Sequence, residues 1–208
     1  MTRQSTADRI RAIAVAAHGG DPAPALAARS DADPVVRVAS LGALARAGAL
    51  DGATVQAALG DPEPRVRRRA CELAAQHRGV SLLAALADEE PLVAEAAAWA
   101  LGEHGQGVAQ GSVAGLADIV SQHPDALVRE AAAAALGAIG DPTGLPAILV
   151  AVNDVVTVRR RAVLALAPFD GPEVVAALEA AARDRDWQVR NAASDLLPFA
   201  TAPEDEHP

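Results

Sequence analysis

The residues best suited to chemistry in this chain are a tryptophan between two carboxylates, two clusters of arginine and a small stock of metal ligands. Trp99 has Glu95 four residues before it and Glu103 four residues after it. On a helix this spacing places the three side chains one turn apart on one face. An exposed tryptophan there is an anchor for a partner, since Trp is a common source of binding energy, and its flanking carboxylates favour a basic one. Arginine supplies all 18 basic residues, because the chain contains no lysine. The runs Arg65-x-Arg67-Arg68-Arg69 and Arg159-Arg160-Arg161 are the candidates for a nucleic-acid contact. A net charge of −9 opposes that use, since a general nucleic-acid binder needs a basic face to displace counterions.

Metal and nucleophilic chemistry find little to work with. The five histidines are His18, His77, His104, His123 and His207, and they form no zinc spacing. There is no nucleophile elbow. Gly105-Gln106-Gly107 has no strand before it and no lysine after it, so it reads as a loop and not as a phosphate cradle. Cys71 is the single cysteine. It excludes an intrachain disulfide, fits a reducing compartment, and reads as a small buried apolar residue. No cofactor or metal is expected.

The elements that would position these residues come from an internal repeat. One phrase recurs six times, beginning near Asp31, Asp61, Asp88, His123, Asn153 and Asp184. The copies align on Arg37, Arg67, Ala94, Arg129, Arg159 and Arg190, at spacings of 30, 27, 35, 30 and 31 residues. The residue before this column is always valine: Val36, Val66, Val93, Val128, Val158 and Val189. Three after it the side chain is small, and seven after it stands Leu44, Ala74, Leu101, Leu136, Leu166 or Leu197. Offsets of −1, +3 and +7 form one stripe of an α-helix. Second helical segments lie between, over about 22–30, 52–60, 79–88, 112–122, 143–152 and 172–184. Turn signals such as Gly60-Asp61-Pro62 and Gly140-Asp141-Pro142 separate them. Each repeat is thus a helical hairpin of about thirty residues that cannot bury its own apolar face, so the hairpins must stack.

The expected organisation is one solenoid over residues 1–200. It has an N-terminal helix over 6–18, with Ile10-Arg11 in the Val-Arg slot, and repeats near 22–48, 52–77, 79–104, 112–140, 143–168 and 172–200. The acidic segment 201–208 reads as a disordered tail. With aromatics at only 2% of residues, alanine and leucine must fill the core. Nothing reads as a signal peptide or a membrane span, so the expected location is the cytoplasm. The Ala-, Arg- and Asp-rich composition points to a bacterial source.

If −1, +3 and +7 face the core, +1 and +5 face away. Those columns hold Arg68, Glu95, Glu130 and Arg160, then Glu72, Trp99 and Leu164. With Glu103 they are the candidate partner-binding residues.

The repeat resembles the short HEAT-like repeats first noted in phycocyanobilin lyases, over about residues 22–200. The resemblance rests on the Asp-x5-Arg pairs, the valine column and Leu-Gly ends such as Ala100-Leu101-Gly102. It implies an all-α, right-handed α-α superhelix in which Asp and Arg form a structural ladder. Here the members are Asp31/Arg37, Asp61/Arg67 and Asp184/Arg190, with Arg129 and Arg159 beside softened partners and Ala94 lacking its arginine.

Three activities come with such repeats. A diiron hydroxylase acting on a lysine of a translation factor carries His-Glu pairs, but the matching places here read Ala94-Glu95 and Arg129-Glu130, and Glu103-His104 is reversed. A DNA-alkylation glycosylase uses a basic concave face. A bilin lyase, or its chaperone subunit, shares only the repeat. The expectation is therefore a non-enzymatic protein–protein scaffold or adaptor, binding another protein with a basic segment along its concave face. The alternatives are a nucleic-acid-binding, alkylation-repair-like protein and a regulatory or chaperone subunit of a modifying enzyme.

Overall fold

The computed structural model describes residues 5–200, which form thirteen α-helices with no strand among them. α1 (Thr6–His18) stands alone. Six hairpins follow. They are α2 (Ala23–Ala27) with α3 (Pro34–Arg46), α4 (Gly52–Ala58) with α5 (Pro64–Ala74), and α6 (Leu83–Leu86) with α7 (Pro91–His104). Then come α8 (Ser112–Gln122) with α9 (Ala126–Ile139), α10 (Leu145–Ala151) with α11 (Val156–Ala165), and α12 (Pro172–Ala181) with α13 (Trp187–Ala200). This is the all-α solenoid of six hairpins and a preceding helix that the repeat implies. The expected acidic tail, 201–208, lies outside the described residues.

The second helix of each hairpin starts where the sequence gives it a reason to. Pro34, Pro64 and Pro91 open α3, α5 and α7, where a missing N–H leaves no bond unmade. Asp33 and Asp125 cap α3 and α9 by accepting the N–H groups of Val35 and Leu127. The first helices are shorter than the sequence implied, except α8, which spans 112–122 as expected. The segment read as helix over 79–88 is one turn, Leu83–Leu86. The stretch ahead of it buries Val80 and Leu82, and the Ser81 N–H donates to Gln56 Oε1.

The valine column and the small-residue column are buried in all six repeats, and so are Leu44, Ala74, Leu101, Leu136 and Leu166. Leu197 is half-buried. A core built largely of alanine lets helix axes come close. A Cβ on Gly102 would stand 3.1 Å from the Cα of Ala135, and one on Gly137 would stand 2.6 Å from the Cα of Ala165. Glycine is required there by the approach of α9 to α7 and of α11 to α9.

The phase of α1 differs from expectation. Arg11 is exposed and Ile10 half-buried, while Ile13 and Ala17 are buried. Arg9, not Arg11, stands in the arginine slot, since it is Arg9 that reaches Asp31. Among the described residues no hairpin partner covers the −1/+3/+7 stripe of α1. Only the face toward the next repeat is buried, and that face sets the register.

Candidate functional site

A ladder of ion pairs fixes one hairpin against the next and so positions everything on the second helices. Arg37 donates from Nε and Nη2 to the two carboxylate oxygens of Asp61 at 2.8 and 2.6 Å, and from Nη1 to the Asp31 carbonyl at 2.9 Å. Arg67 does the same with Asp88 and the Asp61 carbonyl. Arg129 does so with Asp154 and the His123 carbonyl, and Arg159 with Asp184 and the Asp154 carbonyl. Arg9 forms the first rung with Asp31. Arg190 donates to the carbonyls of Asp184 and Arg185.

This corrects the pairing drawn from the sequence. Arg37, Arg67, Arg129 and Arg159 each pair with the carboxylate of the following repeat and with the backbone, not the side chain, of a residue six before them, or five in the case of Arg159. In the fifth repeat the acid is Asp154 and not Asn153. The reason is geometric. The arginine stem points along the stack, and a planar guanidinium can grip a carboxylate with one edge while a further N–H takes a carbonyl. Ala94 and His123 follow from the same rule: the missing arginine and the missing aspartate belong to one absent rung.

The pairing perturbs the groups that make it. Arg37, Arg67, Arg129 and Arg159 are held above the ordinary arginine value, first by hydrogen bonds to their aspartates. Asp88, Asp154 and Asp184 are held below the usual carboxylate range, first by the arginine bonds. In Asp31 the backbone N–H of Asp33 comes first and Arg9 second. In Asp61 burial pushes upward, and Arg37 with the Glu63 N–H outweighs it.

Beside the absent rung, between α7 and α9, lies a groove of about 260 Å³. One wall is Glu95, Trp99, Gly102 and Glu103 of α7. The other is Leu127, Glu130 and a run of α9 alanines. Arg161 reaches in from α11, its Nη2 3.5 Å from Glu130 Oε1. Trp99 is 46% exposed and Leu127 likewise, and the alanines leave room above the floor. The groove thus joins an open indole and an open leucine to three carboxylates, with one guanidinium at its edge.

Of the eight candidates from the sequence, the structure brings four together here: Trp99, Glu95, Glu103 and Glu130. The other four stand elsewhere. Arg68 and Glu72 pair with each other on α5, and Glu72 also takes Arg69 at 2.8 Å. Arg160 is exposed and donates to Gln188. Leu164 is exposed on α11. Sequence reading missed Leu127 and Arg161. A groove between neighbouring helices takes +1, +5 and +9 from one and −2, +2 and +6 from the next, and the +1 and +5 columns with Glu103 cover only the first set. Trp187, three before the arginine column, is exposed at the start of α13.

The family described as HEAT repeats matches the sequence over residues 79–156 and again over 113–198. The chain belongs to the HEAT-repeat family. No curated protein matches it. Among solved structures, this HEAT-repeat chain is similar to human deoxyhypusine hydroxylase, crystallised with glycerol. The identity is 20%, covering 95% of this chain and 80% of the other, at a TM-score of 0.49. It is also similar to an engineered protein at 16% identity, covering 86% of this chain and 96% of that one, with a TM-score of 0.60. At these identities the likeness shows the fold alone.

The hydroxylase nevertheless corrects the expected function. A non-catalytic scaffold or adaptor, with its nucleic-acid and chaperone-subunit alternatives, had been inferred from the repeat, and an enzyme stands among the chains that resemble it. The His-Glu pairs of a diiron centre do not fit here. Arg129 is committed to Asp154, and among the described residues no group of three or more His, Cys, Asp or Glu could hold a metal ion. No helix among the described residues is long and apolar enough to cross a membrane.

Proposed function

We propose that the groove between α7 and α9 binds an arginine side chain presented by another polypeptide. The observation that carries this is the half-exposed Trp99 ring, with Glu95 and Glu103 a turn to either side and Glu130 on the facing wall. A cation over an indole face is attracted by the ring's quadrupole. Arginine suits the place better than lysine. Its planar guanidinium can lie on the ring and still direct N–H groups at carboxylates, and it sheds water more readily than an ammonium. Leu127 offers an apolar contact for the aliphatic stem. A segment held in this way is a substrate to an enzyme and a partner to a binding protein, and the groove serves either.

The test uses Trp99 as its own reporter. With Trp187→Phe, Trp99 is the only indole left. Short peptides carrying two arginines, two lysines or two glutamates are titrated against its emission. A saturable change is expected with the arginine peptide, a weaker one with lysine and none with glutamate, and Glu95→Gln with Glu103→Gln should abolish it. Equal responses from the three peptides, or none that saturates, would overturn the proposal.

A further inference from the structure

Two kinds of arginine stand on the second helices. The ladder arginines Arg37, Arg67, Arg129 and Arg159 are mostly buried, and each grips a carboxylate with two hydrogen bonds. Arg161 does neither. Its side chain is 43% exposed, and its one ionic contact among the described residues, with Glu130, is 3.5 Å long, beyond the usual range of a guanidinium–carboxylate hydrogen bond. It is nevertheless a guanidinium standing inside an otherwise acidic groove.

We infer that Arg161 is a built-in competitor: it lies against Glu130 when the groove is empty and is displaced when an incoming cation takes that carboxylate. This rests on the reading of the groove as a cation site. The chemistry of the rival is the same as that of the proposed ligand, so the two cannot both satisfy Glu130 from the same side. A loose, half-solvated contact sets a modest threshold, since exposed ion pairs contribute little. A bidentate grip of the ladder type would shut the groove. Arg161 thereby sets which basic segments bind: a lone cation must displace it, and a segment with a second contact, on Leu127 or Trp99, does so more easily.

The neighbouring Arg160 supplies the control. It carries the same charge on the same helix, is exposed, and is held by Gln188 outside the groove. The diarginine peptide is titrated against the Trp187→Phe protein carrying Arg161→Ala, Arg160→Ala, Glu130→Gln, or Arg161→Ala with Glu130→Gln. Arg161→Ala should tighten binding roughly two- to fivefold, the range of an exposed ion pair. Arg160→Ala should change it less than that, and the gain from Arg161→Ala should vanish once Glu130 is glutamine. Equal gains at 160 and 161 would mean general charge and overturn the inference, as would a gain that survives Glu130→Gln. Weaker binding in Arg161→Ala would also overturn it, making Arg161 part of the ligand's own contact. If the peptide binds and Glu95→Gln with Glu103→Gln abolishes the response, the groove reading stands whatever Arg161 does. If no variant binds, both fall together.

Discussion

Arg67 grips Asp88 edge-on, Nε to Oδ2 at 2.7 Å and Nη2 to Oδ1 at 2.8 Å, and gives Nη1 to the carbonyl of Asp61. One side chain joins a turn of its own repeat to the carboxylate of the next. Both partners are largely shielded from water. Removing the arginine therefore leaves a carboxylate and a carbonyl without their partner, which costs about 3 kcal/mol. Arg67→Met should lower the urea midpoint accordingly. Arg65→Ala, at an exposed arginine paired with Glu63, should stay within about 0.5 kcal/mol of wild type. Equal effects at 65 and 67 would mean that the rung contributes nothing special.

The ladder also dictates how the fold responds to acid. Asp31, Asp61, Asp88, Asp154 and Asp184 all have pKa values below the ordinary 3.8. The unfolded chain then takes up protons before the folded one does. The rungs contribute fully above the ordinary value, and their contribution is lost as pH falls through the lower folded values. Unfolding free energy measured in urea should be nearly flat down to about pH 5 and should drop steeply below about pH 4. Asp88→Asn removes one such group and should reduce the slope. An unchanged slope in that variant would remove Asp88 from the account.

The hairpins were legible because each carries a valine, a small residue and, in five of the six, a leucine at helical offsets, and that stripe is largely what the core buries. The ladder was legible as a set of residues but not as a set of pairs. A sequence shows Asp31 and Arg37 six residues apart, while Arg37 in fact reaches Asp61, 24 residues on. Only the direction of the arginine stem along the stack decides between them. α1 misled the register for a related reason: Ile10-Arg11 imitates the Val-Arg pair, yet no first helix among the described residues covers the stripe. In the groove, Trp99, Glu95 and Glu103 share one helix and could be found by spacing. Leu127 and Arg161 come from α9 and α11, and which positions of those helices face α7 depends on how closely the helices pack.

That closeness can be tested directly. A Cβ on Gly137 would stand 2.6 Å from the Cα of Ala165 and 3.0 Å from its carbonyl oxygen. Both are backbone atoms, so α11 must move. Gly137→Ala should destabilise by about 1–3 kcal/mol through overpacking, against a helix-propensity gain of up to about 1 kcal/mol. Gly42→Ala makes the same change on α3, where the nearest atoms are the ends of the Arg46 and Arg69 side chains at 3.5 and 3.6 Å. It should be neutral or stabilising. Thermal melts of the two variants should move apart, and parallel shifts would argue against a tight α9–α11 contact.

Cys71 lies wholly inside the core between repeats. Burial comes first in pushing its thiol up to about 12, with the Asp88 carboxylate adding to it. A thiol so protonated and covered is a poor nucleophile. Iodoacetamide should leave the native protein unlabelled at neutral pH over hours and modify it promptly in concentrated urea. Rapid labelling of the native state would mean that the α5 region opens far more often than its packing implies.

Trp99 and Trp187 are the two indoles of the chain, and both are exposed. They differ in what surrounds them. Trp99 stands in the groove with Glu95, Glu103 and Glu130, whereas Trp187 stands at the start of α13, outside it. If the acidic groove recognises arginine, the two should separate in a binding measurement although Trp187 is the more exposed of the two. Trp99→Ala should weaken binding of the diarginine peptide by about 1–2 kcal/mol, the sum expected of a cation–π contact and lost apolar cover. Trp187→Ala should leave it unchanged. Because three carboxylates supply much of the attraction at a half-solvated site, affinity should also fall as salt is raised toward 1 M, where the screening length shrinks to about 3 Å. Calorimetry on the two variants at low and high salt measures both effects. Similar losses at 99 and 187, or affinity indifferent to salt, would point to a merely hydrophobic contact and away from the groove.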